Sequence, residues 1–156
     1  MAIEIGQPAP QFTLFNTEKK EISLSDYTDK NVLILFFPLA FTSVCTDELC
    51  SIRDGLKEYQ SLNTEVLAIS VDSLFTLGKF QSEQGYNFNL LSDFNKEVST
   101  AYESIYDEFA FGMKGVSKRS AFVVDKTGKI QYAEVLESAG DIPNFAAIKE
   151  VLSNIA

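Results

Sequence analysis

Residues 31–50 read "NVLILFFPLAFTSVCTDELC", and the change of character at Pro38 sets the reading of the whole chain. "NVLILFF" (31–37) is an apolar run without polar alternation, the pattern of a strand covered on both faces. Beyond Ser43 the spacing changes. Leu49, Ile52, Leu56 and Tyr59 recur at helical intervals, which predicts a helix with one stripe against a core. The only two cysteines, Cys45 and Cys50, fall at the start of that helix.

Working outward, "EVLAISV" (65–71) and "RSAFVVD" (119–125) are two further buried-strand patterns, and "NLLSD" (89–93) reads as a short extended segment. "SLFTLGKFQSEQG" and the C-terminal "NFAAIKEVLSNI" read as helices, with a further helix expected between "NLLSD" and Arg119. "QFTLF" and "EISLS" flank a polar turn at Asn16 to Lys20, and "KTG" joins "RSAFVVD" to "KIQYAEVLE"; both pairs predict hairpins. Strands separated by helices pair in parallel through βαβ units. The expected fold is therefore α/β, a thioredoxin-like three-layer α/β/α sandwich with an N-terminal β-hairpin extension. A flavodoxin-like sheet is the alternative, but it would usually carry more βα units and a phosphate loop. No G-x-G-x-x-G or Walker A spacing is present, and "GMKGVSK" fits neither.

The chain has 156 residues, 46% apolar and 22% charged, and is expected to be a single domain over residues 1–156. Its longest apolar run, Val32 to Phe41, has ten residues and contains a proline. A membrane-spanning helix needs about 20. "MAIEIGQPAPQF" has neither a basic n-region nor an apolar h-region, so the expected location is the cytoplasm. A net charge of −9 argues against nucleic-acid binding, which draws on clustered Lys and Arg. There is no histidine. That excludes Cys-His and Ser-His dyads and imidazole metal ligands. Any nucleophile must be activated in another way.

In a parallel α/β sheet, chemistry collects at the carboxyl ends of the strands. Cys45 lies where "NVLILFF" gives way to the helix, at free backbone N–H groups and the positive end of the macrodipole. Thiols at helix N-termini can reach pKa values of about 3.5–7.5. At 100° per residue, Cys45 falls near the centre of the apolar stripe and points inward. On position alone it is equally well read as a small buried hydrophobe. A buried thiolate requires a fixed cation. The chain has two arginines, Arg53 and Arg119, and Arg119 opens a strand expected beside the site. Thr42 supplies a hydroxyl within one turn of Cys45, and Pro38 shapes the loop without leaving an N–H unpaired. Phe36, Phe37, Phe41, Phe109 and Phe111 are candidates either for a substrate mouth or for the core.

These residues carry a resemblance. P-x3-T-x2-C, written here as "PLAFTSVC", is similar to the peroxidatic motif of the peroxiredoxins. Glu48 and the Arg119 of "KGVSKRSAFVVD" match the same pattern, and the similarity runs from "IGQPAPQFTL" through "LLSDFNKEVSTAY" to the last hairpin. The resemblance implies a thiol-dependent peroxidase, with Cys45 attacking hydrogen peroxide or an organic hydroperoxide to form a sulfenic acid. It implies that Pro38, Thr42 and Arg119 complete the catalytic site and that Glu48 orients Arg119. Read alone, Glu48 is also a first-turn charge favouring the helix dipole. No metal, flavin, haem or other cofactor is implied. The implied reductant is a thiol such as thioredoxin, a glutaredoxin-like protein or a low-molecular-weight thiol. A homodimer is compatible with the resemblance, with loops around residues 41 and 111 as contact candidates.

Cys50 admits two readings. On an intact helix its Cα lies roughly 8.6 Å from that of Cys45, about 140° around the axis. Disulfides need Cα atoms within about 7 Å. The C-x4-C spacing nevertheless resembles the bacterioferritin-comigratory branch, which implies that Cys50 resolves the sulfenic acid. The remaining chain is closer to a branch that acts with one cysteine, in which Cys50 is an incidental thiol. Resolution would require the first turns to unwind, which Gly55 and the polar residues there make less costly. A thiol–disulfide oxidoreductase would normally use C-x-x-C. A non-enzymatic thioredoxin-like binding module would leave Thr42, Cys45 and Arg119 idle.

Overall fold

The structure, a computed structural model, describes residues 3–156, so Met1 and Ala2 of the expected 1–156 domain lie outside the described residues. The strands are β1 (Thr13–Asn16), β2 (Glu21–Ser23), β3 (Asn31–Phe36), β4 (Thr64–Ser70), β5 (Asn89–Ser92), β6 (Ser120–Val124) and β7 (Ile130–Val135). The helices are α1 (Ser43–Asp54), α2 (Leu56–Ser61), α3 (Leu74–Gln84), α4 (Glu97–Ala101) and α5 (Phe145–Ile155). One sheet joins the strands in the order β2-β1-β5-β4-β3-β6-β7. The β3-β4 and β4-β5 pairs are parallel across α1–α2 and α3; the remaining pairs are antiparallel. The N-terminal hairpin adds to one edge through β1 and β5. This is the expected thioredoxin-like arrangement.

The centre of the sheet follows from the period of two along a strand. Leu33, Leu35 and Phe37 enter one core with Val66, Ala68, Ala121 and Val123. Val32, Ile34 and Phe36 enter the other with Leu67, Ile69, Phe122 and Val124. Each of β3, β4 and β6 thus packs on both faces, which is why their sequences show no polar alternation. The two layers over the sheet are unequal. One is built by α1, α2, α3 and α5, through Leu49, Ile52, Leu56, Tyr59, Leu77, Phe80, Ile148 and Leu152. The other has α4 and the N-terminal segment, with Val98, Tyr102, Phe12 and Leu24.

Two boundaries differ from the sequence reading. The expected single helix divides at Gly55 (φ −102°, ψ 13°) into α1 and α2. Glycine is a poor helix former, yet the stripe continues across the break, since Leu49, Ile52, Leu56 and Tyr59 are all buried. Arg119 lies one residue before β6 rather than opening it. Its carbonyl still accepts from Leu136 N–H at 2.9 Å, so its backbone remains tied to the final hairpin. Among the described residues, no helix is long and apolar enough to cross a membrane.

Candidate active site

At the carboxyl end of β3, the Phe37 N–H donates to Ile69 C=O at 3.0 Å, and the chain then turns at the buried Pro38. The loop that follows is tied down by Asp72. Its carboxylate accepts from Ala40 N–H at 2.8 Å and from the Ser70 hydroxyl at 2.8 Å. The Ser92 hydroxyl donates to Asp72 C=O at 2.6 Å, which links the loop to the ends of β4 and β5. Phe41 adopts a left-handed φ of 68°, uncommon for a residue with a Cβ. Its ring lies 5.0 Å from that of Phe80. Thr42 then occupies the N-cap of α1 but does not cap it. Its exposed hydroxyl donates to Leu39 C=O at 2.8 Å, and its carbonyl accepts from the N–H and hydroxyl of Thr46, both at 2.9 Å.

Cys45, in the first turn of α1, is fully buried. Arg119 reaches it from just before the adjacent strand β6, with Nη2 donating to Sγ at 3.1 Å. Nη1 donates to Glu48 Oε1 at 2.7 Å, and Nη2 also donates to Ala139 C=O at 3.0 Å. The side chains of Arg119 and Glu48 are 1% and 0% exposed. Burial opposes the charge on Arg119, but Glu48 and then Cys45 outweigh it and hold the guanidinium above the ordinary arginine range. Burial pushes Glu48 up to about 7, against the pull of Arg119. Its Oε2 has no hydrogen-bond partner among the described residues. Isolated buried carboxylates are costly, so burial dominates even beside a cation.

A cleft of about 250 Å³ opens over this group, lined by Pro38, Thr42, Val44, Phe109, Arg119 and Ala139 among others. Three of the residues named from sequence, Pro38, Thr42 and Arg119, thus share one cavity, and Arg119 connects it to the Cys45 sulfur. Phe109 lines the same cavity. Phe36 and Phe37 are core residues, and Phe41 and Phe111 are exposed, at 50% and 99%. Glu48 does not occupy the first turn, because α1 begins at Ser43. Cys50 faces the turn after α3, with its sulfur 3.6 Å from Gln84 Oε1 and 3.7 Å from the Tyr86 hydroxyl. Both cysteines are free. Sequence reasoning missed Asp72 and the Ala139 carbonyl. Asp72 has no spacing signal, being one polar residue after a strand, and a backbone acceptor carries no side-chain signature.

The AhpC/TSA family profile matches residues 5–133. The chain is 40% identical over 146 residues to a chloroplastic 2-cysteine peroxiredoxin of Chattonella marina var. antiqua, covering 86% of this chain and 72% of that one. It is also 40% identical over 136 residues to alkyl hydroperoxide reductase E of Mycobacterium bovis, covering 85% and 86%. The solved structure of peroxidoxin BcpB from Mycobacterium tuberculosis superposes with a TM-score of 0.86 at 25% identity, over 99% of both chains. The reduced 2-Cys peroxiredoxin of Plasmodium vivax gives 0.82 at 27% identity, over 95% of this chain and 79% of that one. The chain belongs to the AhpC/TSA family. It is a peroxiredoxin, a thiol-dependent peroxidase that takes a peroxide and a thiol reductant.

The raised pKa of Glu48 has a signature in stability. A carboxyl whose folded pKa lies above its unfolded value stabilises the fold fully below the unfolded pKa. That contribution is lost as pH rises through the folded pKa. Relative to Glu48→Gln, the reduced wild-type protein should therefore lose stability between about pH 4.5 and 7. Urea unfolding of both proteins across this window measures it, and parallel curves would disprove the assignment.

Proposed function

We propose that Cys45 is the peroxidatic nucleophile and that Arg119, Thr42 and Pro38 complete its catalytic site. The observation that carries the reading is the 3.1 Å hydrogen bond from the buried Arg119 guanidinium to the Cys45 sulfur. A fixed cation at a sulfur in the first turn of a helix supplies what a thiolate needs in a chain without histidine. The thiolate attacks the terminal oxygen of a hydroperoxide. An S–O bond forms, the O–O bond breaks, the attacked oxygen keeps its proton as the sulfenic O–H, and the departing oxygen takes a proton from solvent to leave as water or an alcohol. Arg119 and the free N–H groups of the first turn stabilise the charge moving onto that oxygen. The Thr42 hydroxyl donates to Leu39 C=O, which leaves its oxygen free to accept the O–H of the peroxide. Pro38 closes one wall of the cleft. The apolar contributions of Val44, Phe109 and Ala139 suit organic hydroperoxides as well as hydrogen peroxide.

The sulfenic acid is then resolved by Cys50. The Cys50 sulfur attacks that of Cys45, and the sulfenic oxygen leaves as water. On the intact helix the two are too far apart, so the first turns of α1 must open. Thioredoxin, a glutaredoxin-like protein or a low-molecular-weight thiol then reduces the disulfide. The cytoplasm is the proposed location because its thiol pools supply such reductants. We also propose a homodimer through the loops carrying Phe41 and Phe111. Both residues expose large aromatic side chains from left-handed backbone positions.

Cys45→Ser should abolish peroxide consumption with the fold intact, as followed by stopped flow and circular dichroism. Thr42→Val should slow the reaction about 10²-fold, the scale of a misplaced substrate. Arg119→Met should slow alkylation of Cys45 by iodoacetamide at neutral pH; an unchanged rate would mean that the helix terminus alone activates the sulfur.

One equivalent of hydrogen peroxide should convert the wild-type protein to a Cys45–Cys50 disulfide with loss of helical signal. Mass spectrometry that finds a persistent sulfenic acid and a free Cys50 would replace this by a one-cysteine cycle with an external thiol.

A further inference from the structure

Opening the first turns of α1 separates the two cysteines from whatever holds them, and one side chain from outside the helix touches both parts that must move. Tyr86 follows α3 and Gly85, whose left-handed φ of 65° ends that helix. The Tyr86 hydroxyl donates to Thr46 C=O at 3.3 Å. In an α-helix that carbonyl is also the acceptor for the N–H of residue 50, four positions on. The same hydroxyl lies 3.7 Å from the Cys50 sulfur, and Gln84 Oε1 lies 3.6 Å from it. Arg53, on the next turn of α1, donates through Nη1 to Gln84 C=O. The helix segment between the cysteines is therefore fastened to the turn at residues 84–86.

The fastening is rigid on the Tyr86 side. Its ring is buried, 5.1 Å from Phe80 and 5.5 Å from Phe88. Burial and then the contact with Cys50 hold the phenol well above its usual pKa, so it stays an O–H donor at neutral pH. Among the described residues, Tyr86, Gln84 and Arg53 neither line the cleft nor hydrogen-bond to Arg119 or the Cys45 sulfur. The Tyr86 phenol is nevertheless close enough to Cys45 to interact with it electrostatically.

We propose that the Tyr86 hydroxyl is a latch on α1 that sets how fast Cys50 reaches oxidised Cys45, without affecting the reaction of Cys45 with peroxide. This rests on the resolving role proposed for Cys50. While the latch is closed, the sulfenic acid persists and a second peroxide can carry it on to the sulfinic acid, releasing water or an alcohol. Once it opens, the Cys50 thiol displaces the sulfenic oxygen as water and the disulfide forms. Tyr86 is thus a positioning residue. It tunes the ratio of resolution to over-oxidation.

The test is Tyr86→Phe, which keeps the ring and removes the hydroxyl, with Tyr102→Phe as control. Tyr102 also donates its hydroxyl to a backbone carbonyl, that of Pro10 at 2.7 Å, but in the opposite core. Each reduced protein is mixed with one equivalent of hydrogen peroxide, quenched at intervals with an alkylating agent and read by mass spectrometry. In Tyr86→Phe the oxidation of Cys45 should stay within about twofold of wild type. Disulfide formation should speed up roughly three- to tenfold, the scale of one ordinary hydrogen bond, and the sulfinic yield at excess peroxide should fall. Tyr102→Phe should change neither step. Equal disulfide rates in wild type and Tyr86→Phe overturn the latch alone. So does the same acceleration in Tyr102→Phe, which would be general loosening, and so does slowed oxidation in Tyr86→Phe. A wild-type protein that never forms the disulfide overturns the resolving role of Cys50, and the latch with it.

Discussion

A nearly buried guanidinium at the floor of the cleft is the constraint on which this site depends. Arg119 is 1% exposed, and a buried cation is tolerable only when anions or acceptors surround it. Here those partners are Glu48, the Ala139 carbonyl and the Cys45 sulfur. They come from α1 and from the segment after β7, so the arginine fixes three parts of the chain relative to one another. In the proposed mechanism, this arrangement is how a protein without histidine would make a nucleophile. The cation is a permanent part of the core and needs no proton transfer to become one.

Much of this was legible in the sequence because it rests on short-range patterns. The uninterrupted apolar runs of β3, β4 and β6 show burial on both faces, and the Leu49, Ile52, Leu56 and Tyr59 stripe shows which side of α1 meets the core. That stripe also placed Cys45 inward, as the structure has it; Cys50, expected off the stripe, is half-buried and packs against the same core beside Tyr86. Arg119 stood out because arginine is scarce here. Other features were hidden for physical reasons. The support of the loop by Asp72 spans 32 residues of chain, and no local periodicity encodes a side chain reaching a distant N–H. The break at Gly55 depends on a backbone angle that glycine permits but does not require. Thr42 was readable as a hydroxyl near the cysteine, whereas its bond to Leu39 C=O depends on the turn that Phe41 makes.

Helix α1 answers to two opposed requirements. Its first turn must be ordered for the N–H groups, Thr42 and Cys45 to form the proposed site, yet the proposed resolution step requires those same turns to open. The division of the helical stretch at Gly55 reconciles the two. α2 keeps Leu56 and Tyr59 in the core, so α1 can open at its start while α2 stays anchored. The start of α1 carries hydrogen bonds at Thr42, Thr46 and Tyr86, beside the buried Cys45 and the Arg119–Glu48 pair. Hydrophobic packing runs from Cys45 through Leu49 and Ile52. The proposed opening would therefore have to release the Arg119 contacts to Cys45 and Glu48 as well as these hydrogen bonds.

The antiparallel pairing of β3 with β6, in which Phe36 faces Ser120, sets Arg119 beside the end of the strand that leads to Cys45. Side chains on a strand alternate between faces, so a shift of one residue would turn each to the opposite side. Insertions and deletions are therefore a different kind of change here from substitutions. One residue gained or lost between Arg119 and Val124 would carry the cation away from the sulfur and exchange residues of β6 between the two cores. Length variation between β6 and β7 is best absorbed in the turn at Asp125 to Gly128, where Asp125 already gathers the N–H groups of Thr127 and Lys129. In this sheet the spacing of residues is itself inherited chemistry.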